Sequence, residues 1–146
     1  MTFSHVLDTD TLSELQKGNP RVASKLESAG PARVATTVVS AYEQLQGRFN
    51  QIRKAQQSRK AGQLPEAYLR LREAVDFFQR VPVLDYTAQA EQCHDELRSG
   101  GLTPQKVHAL DLQIGCIALS LSAVLVTRNR RDFQHIPGLL TEDWTV

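Results

Sequence analysis

A chain of 146 residues, 41% hydrophobic and 23% charged, has the size and composition of one globular domain able to bury its own core, and neither value suggests disorder. The net charge of +1 excludes a strongly acidic or basic character as a guide to partners. Cys93 and Cys116 form no C-x-x-C pair, which excludes a zinc knuckle or disulfide framework and leaves two buried, reduced thiols.

Apolar runs alternate with helical patterns, the mark of an α/β domain with a largely parallel sheet. Strands are predicted at His5 to Leu7, Arg33 to Thr37, Val81 to Leu84 and Ala123 to Thr127, with a fifth near Trp144. Helices are predicted at about 11–17, 20–29, 40–60, 65–79, 87–98 and 104–122. The opening MTFSHVLD lacks a basic region followed by a long apolar one, which argues against a secretory signal and implies a cytoplasmic protein.

The first strand stops on Asp8, at the carboxyl edge where open parallel sheets place their ligand sites. Asp8 or Asp10 could simply cap the next helix, but Thr11-x-x-Glu14 already reads as a capping box, so the cap does not require Asp8. After the second strand comes TTVVSAYEQLQG, with Glu43 beside an apolar stripe of Tyr42, Leu45, Phe49 and Ile52; Ser40-x-x-Glu43 is itself a capping-box pattern. No acid occurs between Glu43 and Glu66, while Arg48, Arg53, Lys54, Arg59 and Lys60 do, as a solvated helix face or a phosphate-facing patch. Gly62 should end one helix and Pro65 open the next, making a long helical hairpin over about 40–80.

The stretch from Ala109 to Val126 is the most apolar, but Asp111 and Gln113 interrupt it, so it reads as a buried helix and a strand rather than a membrane span. Asp111 shares its helix face with Val107, Ile114, Gly115 and Ala118. A carboxylate there costs several kcal/mol unless paired, protonated or bound to a cation. The last strand runs into Thr127, Arg128, Asn129, Arg130, Arg131 and Asp132. Two acids from strand ends and two from flanking helices repel one another unless a proton or divalent cation intervenes, and oxygen-only donors select Mg²⁺ or Mn²⁺ over zinc.

HVLDTDTLSEL, SAYEQLQG, ALDLQIGCIAL and VTRNRRDFQHIPGLLTEDW together resemble the VapC family of PIN-domain toxins along the whole chain. The most specific matches are Asp111 with Ile114, Thr127 with Asn129, Phe133, Pro137-Gly138-Leu139, and Glu142 with Trp144. The resemblance implies a single PIN domain over 1–146, a three-layer α/β/α fold with a mostly parallel central sheet. It also implies a Mg²⁺- or Mn²⁺-dependent endoribonuclease, dimeric, with a cognate VapB-like antitoxin. The family's acidic site carries over onto Asp8, Glu43 and Asp111, with Asp8 and Asp111 as metal ligands. Many members have Asp at the position of Asn129; others have Asn there and an acid three residues later, the arrangement of Asn129 and Asp132. Asp132 is therefore assigned as the fourth acid. Thr9, Thr127, Asn129, Arg128, Arg130 and Arg131 are assigned to RNA contacts, and the 40–80 hairpin is longer than the family pattern. Rival readings are a DNA-directed nuclease, a receiver-like signalling domain and a PIN domain that binds without cleaving. The receiver-like reading expects a Lys at the end of a late strand, where this chain has Thr127-Arg128-Asn129.

Overall fold

In the computed structural model, which describes residues 2–146, five short strands form one parallel sheet: β1 (His5–Leu7), β2 (Val34–Thr37), β3 (Val83–Leu84), β4 (Val124–Val126) and β5 (Thr141–Glu142). Their order is β3-β2-β1-β4-β5, with His5 opposite Val34 and Val124. Parallel neighbours need crossovers, and seven helices provide them: α1 (Thr9–Gln16), α2 (Pro20–Ala29), α3 (Val38–Ser58), α4 (Gln63–Arg80), α5 (Ala88–Ser99), α6 (Ala109–Ser120) and α7 (Arg130–Phe133).

The two faces of the sheet divide the core, because successive strand residues point to opposite sides. Val6 and Leu125 pack with Ala90 of α5 and with Leu112, Ile114 and Ile117 of α6. Leu7, Val34 and Val126 pack against Leu12 of α1 and Val22 of α2, with Phe77 and Phe78 of α4 at the margin. The result is the expected three-layer α/β/α arrangement. The fifth strand lies two residues before Trp144, whose buried indole N–H donates to Glu142 Oε2 at 2.8 Å. Cys116 is buried and Cys93 half-buried; both are free thiols. Burial, then a hydrogen bond with Cys93, pushes the Cys116 thiol up. Among the described residues no helix is long and apolar enough to cross a membrane.

Several element ends differ from expectation, for local reasons. α1 starts at Thr9 rather than 11, and Asp8 is its N-cap, accepting from the Thr11 amide at 2.9 Å; the Thr11/Glu14 box does not form. Glu14 instead pairs with Lys17 and Arg128 and accepts from Asn19. α3 starts at Val38, capped by Thr37, whose hydroxyl accepts from the Ser40 amide, so Glu43 is not used in a cap. α3 closes at Arg59 in the left-handed region (φ 53°), and Gly62 (φ 82°) caps the start of α4 rather than the end of α3.

α6 begins at Ala109, not 104. The Thr103 carbonyl accepts from the Lys106 and Val107 amides in a single turn, and the extended backbone of His108 then caps a new helix. Asp111 consequently sits in the first turn of α6. The 130–133 segment, expected as a turn, is one turn of helix. α3 and α4 do pack on one another as a hairpin, but Tyr42 and Phe49 of the expected apolar stripe are 53% and 56% exposed.

Candidate active site

The carboxyl edge of β1 delivers Asp8 between β2 and β4, its own amide donating to the Val126 carbonyl at 3.0 Å. Asp8 is only 5% exposed. Burial raises its carboxyl pKa, opposed by hydrogen bonds from the Thr127 hydroxyl and from Thr11. A carboxylate on the opening turn of a helix also faces the positive end of the backbone dipoles.

Glu43 approaches from α3. The Thr9 hydroxyl donates to Glu43 Oε1 at 2.7 Å, with Ser40 Oγ 3.0 Å from the same hydroxyl. Ser40 is in turn fixed by its amide on Thr37. Thr9 thus orients a carboxylate in this structure, and Ser40 and Thr37 complete a support that sequence reading missed. The available signal was the Thr37-Val-Val-Ser40 spacing, an N-cap pattern one helical turn ahead of Glu43.

Asp111 is half-buried, and its pKa is raised to about 6. Desolvation is the largest cause, followed by repulsion from Glu43 and then Asp8; His108 opposes the shift and Asp132 adds to it. Asp111 therefore lies within electrostatic reach of the other three predicted acids. Among the described residues no Lys or Arg forms an ion pair with Asp111, so the buried-pair alternative has no partner.

Asp132 is held by Asn129, whose Nδ2 donates to Asp132 Oδ2 at 2.8 Å, while the Asn129 amide donates to Thr127 Oγ1 at 2.9 Å. Thr127 is completely buried, with its hydroxyl committed between Asp8 and Asn129, so it positions acids and cannot touch a substrate as the sequence reading had it. Nor do the three loop arginines converge on the acids. Arg128 reaches Glu14 at 3.3 Å, Arg130 Nε donates to Thr141 at 3.4 Å, and Arg131 is exposed.

As placed, no three His, Cys, Asp or Glu side chains among the described residues stand close enough to share one ion. The four acids nonetheless offer only carboxylate oxygens, with the His108 imidazole beside Asp111, and the repulsion that pushes the Asp111 carboxyl up is of the kind a hard divalent cation relieves. The residues present fit such an ion electrostatically.

No family model matches the chain. The chain is 38% identical over 87 residues to the tRNA(fMet)-specific endonuclease VapC of Shigella flexneri, covering 57% of this chain and 62% of that one. It is 32% identical over 143 residues to the protein of the same name from Salmonella typhimurium, covering 95% and 96%. Among solved structures, VapBC-1 from nontypeable Haemophilus influenzae superposes with a TM-score of 0.74 at 26% identity over 99% of this chain and 100% of that one. DNA-bound VapBC from Salmonella typhimurium gives 0.76 at 24% identity over 98% and 99%, a likeness of fold. With similarity running through nearly the full length of both sequences and the same fold, the chain belongs to the VapC family of PIN-domain toxins.

Proposed function

We propose that this protein is a divalent-metal-dependent endoribonuclease toxin of a type II toxin–antitoxin system, cutting RNA at the cluster of Asp8, Glu43, Asp111 and Asp132. The observation that carries this reading is the meeting of three elements at one sheet edge: Asp8 closing β1, Glu43 held by Thr9, and half-buried Asp111 in the first turn of α6, whose carboxyl is pushed up by burial and by the other acids. Asp8 and Asp111 would hold Mg²⁺ or Mn²⁺. Such an ion, when bound, makes a nucleophile of water at neutral pH and neutralises charge building on the phosphate. Glu43 has one oxygen engaged by Thr9, which leaves Oε2 to take a proton from the attacking water. Arg131, exposed on the adjacent turn, would meet the RNA backbone.

The relatives' names make tRNA, and the initiator tRNA first, the substrate to try. The solved neighbours are VapBC toxin–antitoxin complexes, which supports a VapB-like antitoxin as partner. Exposed Val38, Tyr42 and Phe49 lie along one side of α3, an apolar strip suited to a second copy of the chain. The test is incubation of antitoxin-free protein with Mg²⁺ and either labelled initiator tRNA or single-stranded DNA. RNA-selective cleavage is expected. Cleavage of DNA alone, or binding without cleavage, would contradict the reading.

The Asn129–Asp132 bond yields a finer prediction. Asp132→Asn should weaken Mn²⁺ binding and slow cleavage by about 10- to 100-fold, the usual effect of outer partners of a metal site. Asn129→Ala removes only the support for Asp132 and should have a smaller effect on both. Single-turnover cleavage alongside Mn²⁺ titration distinguishes them. Unchanged values for Asp132→Asn would leave a three-acid site.

A further inference from the structure

Helices α1, α3 and α4 enclose a cleft of about 590 Å³ whose lining includes Lys17, Arg48, Arg70 and Arg80 against one acid, Glu73. Most of their donor capacity is free. Lys17 reaches Glu14 at 3.7 Å, Arg70 reaches Glu66 at 3.2 Å, and Arg80 uses Nε on the Asp76 carbonyl. Arg48 Nε is buried with no hydrogen-bond partner among the protein atoms, an arrangement that costs free energy unless a water or a ligand supplies the acceptor. Of the five basic residues of the acid-free interval, Arg48 turns into this cleft, whereas Arg53, Lys54, Arg59 and Lys60 are exposed on the hairpin.

A run of hydrogen bonds links the lining of the cleft to Glu43. Gln16 and Gln44 exchange amide hydrogen bonds of 2.9 and 2.7 Å, Gln44 donates to Ser13, and Ser13 donates to the carbonyl of Thr9, whose hydroxyl holds Glu43. Ser13 and Gln16 also line the cleft. Four clustered carboxylates repel a polyanion, so the affinity for RNA has to come from cations beside them, and guanidinium forks match phosphate oxygens.

We propose that this cleft binds the phosphates of the single strand leaving the cleavage site, an inference that rests on the ribonuclease reading. The favoured occupant is RNA rather than an acidic peptide because the lining of the cleft is hydrogen-bonded through Ser13 and Thr9 to Glu43, one of the acids proposed to act on the phosphodiester.

The test measures binding of a fluorescein-labelled, unstructured RNA to full-length Asp111→Asn protein, across a range of salt concentrations. Added changes are Arg70→Gln with Arg80→Gln, both exposed and so compatible with folding, and separately Arg48→Gln and Arg48→Lys. The double change should weaken binding about tenfold at low salt. It should also reduce the slope of log K against log[salt] by about 1.4, the value for two single-strand phosphates that are no longer neutralised. Arg48→Gln should weaken binding and Arg48→Lys largely preserve it. Unchanged affinity and slope in the double variant would overturn the proposal, as would loss of oligoglutamate binding with RNA binding intact. Cleavage by the otherwise unaltered protein is assayed in parallel. Cleavage with silent arginines removes the cleft alone, and arginine-dependent binding without cleavage removes the ribonuclease reading alone.

Discussion

Asp111→Asn is expected to lower RNA cleavage more than about 100-fold, beyond what outer partners of a metal site contribute, while making the metal-free protein more stable. Both effects have one cause. Burial and three neighbouring acids hold the Asp111 carboxyl at a pKa of about 6 instead of 3.8. Between about pH 4 and 6 the folded protein keeps a proton that the unfolded chain has released, so stability falls as pH rises through that window. Above about pH 6 the carboxylate is ionised in both states and its full penalty applies to the fold. An amide removes that penalty. After discounting for solvent screening the gain is about 1 kcal/mol, or about 2–4 °C in Tm at pH 7.5 in EDTA. At pH 4 the gap should close. Circular dichroism melts at the two pH values read it directly, and a marked loss of stability at pH 7.5 would indicate that Asp111 has a cationic partner after all.

Chelation should abolish cleavage altogether. The acids that carry the site offer carboxylate oxygens and the neighbouring groups are hydroxyls, an amide and the single imidazole of His108, with neither cysteine among them, so oxygen donors dominate and the preference is for a hard, oxygen-seeking ion. Excess EDTA should eliminate cutting of initiator tRNA, Mg²⁺ or Mn²⁺ should restore it, and Zn²⁺ should restore it poorly. Cutting that persists in EDTA would mean that the carboxylates act without a cation. The site would then have to be rebuilt around Glu43 as the sole proton acceptor.

Asp8 and Asp111 stand out in the sequence because each breaks a rule that the surrounding residues keep, whereas Glu43, beside an apolar stripe and in a capping-box pattern, does not stand out by itself. Asp8 ends an apolar strand, and Asp111 interrupts an apolar helix face. The caps were misread because Asp8, Thr9, Asp10 and Thr11 are all good capping residues, and only the place where β1 ends decides among them. The same ambiguity assigned Ser40 to a box with Glu43 when Thr37 makes the cap. Thr103-Pro104 has the pattern of a helix opening, yet α6 begins five residues after Pro104. The turn there ends when Val107 is drawn into the core, fully buried. Periodicity identified a stripe through Tyr42 and Phe49 but cannot say whether anything covers it. The work done by Thr127 depends on β4 lying beside β1, a contact across more than a hundred residues that no local pattern encodes.

If four acids share one electrostatic site built to hold a divalent cation, the carboxyl group of Asp111 should report it most directly. Carboxyl carbon NMR of Asp111, followed through pH with and without Mg²⁺, is the measurement. The expected titration midpoint is about 6 without metal, falling well below the ordinary carboxylate range when Mg²⁺ is added. A midpoint near 4 without metal, or one near 6 that Mg²⁺ does not move, would contradict it.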